Sequence, residues 1–199
     1  MRLFFALLLP LILLAAFTNF VATAQSAGKI TNSSAADSMD RKLSYLEQNG
    51  ALTHPNQAAT MLTEQEINAY LASGRVELPA GVQSLELQGD PGVITGKSRV
   101  DFDQVRAGHR NHNPLLSVFT GVHDVTVVAH AHGAGHQGIV HVDSVSLDGV
   151  EIPHFALQLF VEKYIQPRHP EIGIDSRFNL PEKIDTATVG SHQVAVTQK

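Results

Sequence analysis

The sequence predicts an antiparallel α+β domain, and three observations carry that reading. The stretch Pro153–Pro167 places apolar residues at 155, 156, 157, 159, 160, 161, 164 and 165, over most of a helix circumference. Only His154, Gln158 and Glu162 form a polar seam, so such a helix must be enclosed by protein or face lipid. Around it lie segments of strand-like alternation, among them Ile94–Asp103, with small or apolar residues on one side and charges on the other. No βαβ rhythm links these segments, which excludes a doubly wound parallel sheet.

The chain has 199 residues and opens on a segment with the grammar of an export signal. Arg2 precedes the apolar run Phe4–Phe17, which only Pro10 breaks, and Ala22-Thr23-Ala24 offers an A-x-A cleavage site before Gln25. The competing reading is a retained membrane anchor, but Thr18 and Asn19 interrupt the run. The expected organisation is therefore a signal over 1–24, a flexible Ser/Ala/Asn-rich leader over 25–37 and one domain over 38–199. Asn32-Ser33-Ser34 matches a glycosylation sequon, a short pattern that arises by chance in polar linkers.

Each element has a local reason. Asp40–Gln48 reads as a weak helix with Leu43 and Leu46 on one side, closed by Asn49-Gly50. Thr63-Glu-Gln-Glu66 is a capping box, Ile67, Tyr70 and Leu71 form the stripe behind it, and Gly74 supplies the stop. Val82–Leu87 is a short strand ending at the Gly89–Gly92 turn. Ile94–Asp103 follows, with Ile94, Gly96, Ser98, Val100 and Phe102 inward. Ala107–Asn113 reads as a polar loop and Pro114–Phe119 as a helical turn. Val122–His132 and Ile139–Leu147 form a hairpin with a Gly-rich tip. Pro153 suits the first turn of the apolar helix and Pro167 and Pro170 its end. Arg177–Leu180, Ile184–Val189 and Val194–Thr197 close the domain, the last two joined at Gly190-Ser191.

Composition excludes several functions. A net charge of −5 gives no basic face for nucleic acid. The absence of cysteine excludes disulfides, thiolate metal sites, thiol catalysis and a lipoprotein acyl anchor. Gly92–Ser98 brushes against the phosphate-loop pattern, but Pro91 stands where the first glycine is needed and a strand follows instead of a helix. Asp101 and Asp103 fall on one side of a strand, where a solvated face explains them better than acid/base chemistry. No nucleophile-elbow or zinc-protease motif occurs. The reading is a non-enzyme without a cofactor.

Histidine is the anomaly. There are eleven, and His109, His112, His123, His130, His132, His136 and His141 cluster in one stretch. In simple hairpin register His141 lies opposite His130 and Asp143 opposite Val128. His130, His132 and His141, with Asp143, would then suit zinc, copper or nickel. The plainer alternative is that Val125, Val127, Ala129 and Ala131 face the core and the histidines take the wet side.

Several motifs carry a family resemblance: Leu62–Leu71, Val100-Asp-Phe-Asp103, Asn113-Pro-Leu-Leu116, Leu147–Pro153, Phe178-Asn-Leu-Pro181, Ile184-Asp185, Val189-Gly190 and Val194–Gln198. Together they resemble a group of uncharacterised exported bacterial proteins, itself similar to small envelope proteins of the tubular lipid-binding (TULIP-like) superfamily. The resemblance spans roughly residues 60–198. It implies a strongly curved antiparallel sheet wrapped around the long apolar helix, with an apolar groove between them. The expectation is a periplasmic binder of lipid or another apolar small molecule, in peripheral contact with the envelope membrane. Phe155, Leu157, Leu159, Phe160, Tyr164 and Ile165 would line the groove, with Ile94, Val100 and Phe102 on the sheet. The rivals are a divalent-metal binder and a structural module with a closed core; the oligomeric state stays open.

Overall fold

A computed structural model describes residues 33–107, 120–162, 166 and 173–199. Helix α1 (Ser33–Ala51) is longer than expected, and it takes in residues 33–37 of the anticipated leader. Ala36, Met39, Leu43 and Leu46 set its buried stripe. A short strand β1 (Thr60–Thr63) then runs straight into α2 (Glu64–Ala72), and the expected capping box is present in full. Thr63 accepts from the Glu66 amide, and Glu66 accepts from the Thr63 amide at 2.9 Å. Gly74 carries the expected positive φ of 72°.

The sheet has nine strands, and every pairing among the described residues is antiparallel. Strands β2 (Val82–Asp90) and β3 (Val93–Asp101) form one hairpin, β4 (Val122–Ala134) and β5 (Gln137–Leu147) a second, β8 (Ile184–Gly190) and β9 (Gln193–Gln198) a third. The long β4 organises them. One of its edges pairs first with β3 and then, at His132 and Gly133, with β8. Its other edge pairs with β5, whose far side takes β6 (Val150–Glu151) and β7 (Asp175–Asn179). Strand β1 closes the far side of β9.

Two sequence expectations about strands are corrected. His141 does lie opposite His130, but a bulge between Val128 and Ala129 pairs Val128 with Ser144, not Asp143. The bulge lets Val142 and Val145 both face the core, which strict alternation forbids. The strand after Ile94 stops at Asp101, because Phe102 opens helix α3 (Phe102–Ala107). Asp101 Oδ1 accepts from the amides of Asp103 and Gln104 at 3.0 and 3.2 Å and caps that helix. The paired carboxylates thus belong to a strand end and a helix start. The expected turn over 114–119 lies outside the described residues.

The apolar helix is also different. The structure shows α4 as His154–Phe160 with Pro153 as its cap, and Gln166 N–H donates to the Val161 carbonyl in a wider i→i+5 closure. Among the described residues, a long helix enclosed by the sheet is not seen. One contiguous core instead joins Met39, Leu43 and Leu46 of α1 and Tyr70 and Leu71 of α2 to the inward faces of the strands, with Leu157 and Val161 added from the C-terminal side. Small residues make room where the sheet is crowded: a Cβ on Gly138 would come within 2.5 Å of the Phe178 ring across the β5–β7 pair.

Candidate functional site

The exposed side of β4, β5 and β7 carries a row of histidines and carboxylates. Pairing aligns His130, His141 and Asp175 across the three strands. Asp143, two residues after His141, lies on the same side, where both its oxygens meet His130 Nδ1, at 2.8 and 2.9 Å. His141 Nδ1 donates to Asp175 Oδ1 at 2.5 Å, and its Nε2 stands 3.9 Å from Asp143 Oδ1. The Asp175 hydrogen bond raises the His141 pKa above its ordinary value. His132 is exposed on this face, two residue pairs nearer the hairpin tip, opposite Ile139. Among the described residues, no three histidine or acidic side chains are already arranged to hold a metal ion. The three-histidine set expected from sequence is therefore not assembled; the structure brings together His130, His141, Asp143 and Asp175.

Carboxylate pairing of histidines recurs. His123 Nδ1 meets Asp148 at 2.5 Å and its Nε2 meets the Thr120 carbonyl at 3.0 Å, and the Asp148 bond chiefly raises the His123 pKa. His192 meets Glu64 at 2.9 Å. Burial works against ionisation of Glu64, but the Gly89 amide and His192 outweigh it and lower its pKa. Pairing of this kind keeps the histidines oriented on the solvated side of the sheet.

The expected apolar lining falls into separate places. Val100 and Leu157 are buried in the core, and Ile94, Phe102 and Phe160 pack partly buried against it. Phe155 and Leu159, one turn apart on α4, are 69% and 56% exposed, and Val150 just before them is 71% exposed. Tyr164 and Ile165 lie outside the described residues. Apolar hollows occur elsewhere. One is bounded by Ile67, Leu87, Ile94, Val189 and Val194, with Glu64 beside them. Another lies between the β4–β5 tip, Phe178, Leu180 and β8. Both open to solvent, and their volumes of about 30 and 10 Å³ are far below the range for ligand sites. No helix among the described residues is long and apolar enough to cross a membrane.

Comparison with known proteins gives no match to a family model, a curated protein or a solved structure. Function therefore rests on the residues themselves. Sequence reasoning missed Asp175 as the partner of His141, since 34 residues separate them and β7 had to be placed beside β5 first.

Proposed function

We propose that the protein is an exported, non-enzymatic binder of lipid or another apolar small molecule, engaged through the α4 region. The observation that carries this reading is the exposure of Phe155 and Leu159 on one helix face, preceded by Val150. A helix that leaves two large apolar side chains in solvent has contact surface to offer. The likeness of the motifs to exported bacterial proteins that are in turn similar to TULIP-like envelope proteins supports the same reading, as does the export-signal grammar of residues 1–24. The finer architecture, a curved sheet wrapped around a longer apolar helix that includes Tyr164 and Ile165, belongs to this proposal, as do the periplasmic location and peripheral membrane contact.

Burying an acyl chain contributes about 0.8 kcal/mol per methylene, so roughly ten methylenes buried in this region would give an appreciable affinity. The test is lipid extraction and mass spectrometry of the full chain purified gently from its native host. Lipid should co-purify with the wild type and be lost from the folded double variant Phe155→Ser/Leu159→Ser. Wild-type protein free of lipid, or a double variant that retains it, sinks the reading and leaves a structural module with a closed core.

A further inference from the structure

We propose that His141 and Asp143 form a binding site for a borderline divalent cation, zinc or copper, on the exposed face of the β4–β5–β7 ribbon. The argument starts from tautomers. His141 Nδ1 donates to Asp175 Oδ1 at 2.5 Å, so the neutral ring keeps its proton on Nδ1 and presents the Nε2 lone pair. That lone pair stands 3.9 Å from Asp143 Oδ1, too long for a hydrogen bond. Zinc bonds of about 2.0–2.1 Å to nitrogen and 2.0–2.2 Å to oxygen span about 3.4 Å at a tetrahedral angle, so a side-chain shift of about half an ångström closes the gap around an ion.

Both ligands already have outer partners. Asp175 holds His141, which is the carboxylate–histidine arrangement that orients and strengthens a metal-bound imidazole. His130 Nδ1 straddles both oxygens of Asp143 at 2.8 and 2.9 Å and fixes that carboxylate. Two carboxylates, Asp143 and Asp175, balance the charge of a divalent ion. One nitrogen and one oxygen donor suit zinc or copper better than magnesium or calcium, which ask for oxygen alone. The remaining positions are open to water, so the site is an accessory one and not a closed structural cage.

The experiment titrates the full chain with Zn²⁺ by calorimetry and counts coordinated nitrogens by paramagnetic resonance with Cu²⁺. The wild type should bind saturably. The variant His141→Ala should lose that binding while keeping the same melting temperature within experimental scatter. Asp175→Asn should weaken it about 10–100-fold, the usual effect of removing an outer partner. His132→Ala should leave it unchanged, and the copper spectrum should report one nitrogen. No saturable uptake by the wild type overturns the assignment, as does uptake that survives His141→Ala. Three coordinated nitrogens, or equal losses from His132→Ala and His141→Ala, would replace it with the three-histidine set.

Discussion

Glu66 accepts four hydrogen bonds, two from helix α1 and two from the residue that caps its own helix. Ser38 Oγ and Lys42 Nζ of α1 reach it at 2.6 and 2.7 Å, and the Thr63 amide and hydroxyl both at 2.9 Å. Burial opposes ionisation here, but the donors outweigh it and hold the carboxyl down to about 2. A folded-state pKa below the unfolded one stabilises above the unfolded value and is lost as pH falls through the folded value. Glu66 should therefore contribute on the order of 2–3 kcal/mol at neutral pH, and this should fade between about pH 4.5 and 2. Chemical denaturation across that window checks it. Glu66→Gln should lower stability at pH 7 and flatten the acid limb of the curve; an unchanged limb would show that the α1–α2 contact does not depend on this charge.

At the scale of elements, α4 has two faces with opposite consequences. Leu157 is 3% exposed and shares the core with the strands, whereas Phe155 is 69% exposed. Leu157→Ala should cost about 2–5 kcal/mol by leaving a cavity. Phe155→Ala should stay within about 0.5 kcal/mol of the wild type, because its ring is not held in the core. Urea denaturation of the two variants separates them; equal losses would mean that Phe155 packs against protein. Elements were legible where the local signal is self-contained. The capping box at Thr63–Glu66 and the pairing of His130 with His141 followed from sequence alone. The bulge had a signal that strict alternation obscured: Val140, Val142, Val145 and Leu147 slip by one place across Asp143-Ser144. Helix α1 also had its stripe, at 36, 39, 43 and 46, hidden by a composition that suggested a linker. Val100-Asp-Phe-Asp103 alternates like a strand, and only the capping bonds of Asp101 reveal the helix start. Strand β1 is four residues long and ends on a helix cap, so no periodicity within it announces it.

For the whole molecule, the decisive feature is that both ends of the described fold meet in one buried polar knot. Gln198, 2% exposed on the last strand, donates to the Leu46 and Glu182 carbonyls at 2.8 and 2.6 Å. It accepts from Asn49 Nδ2 at 2.7 Å, and Asn49 in turn holds Asn56. The β7–β8 turn keeps Glu182 and Lys183 at positive φ, 52° and 55°, to present that carbonyl. Gly50 lies so close to it that a Cβ there would fall 2.4 Å from the Glu182 oxygen. Buried polar groups stabilise when every partner is satisfied, and removing one partner leaves the others to bear desolvation alone. Gln198→Leu strips donors from the buried Leu46 carbonyl and the part-buried Glu182 carbonyl while Asn49 keeps Asn56, so the cost should be about 2–4 kcal/mol. Because the core runs unbroken from Met39 to Val196, the loss should appear as a lower denaturation midpoint with an unchanged slope, and helix and sheet signals should still disappear together. Circular dichroism and amide exchange on the variant test this jointly. A helix α1 that detaches first, with β4 and β5 still protected, would show that the knot fastens one helix and does not couple the two ends into a single cooperative unit.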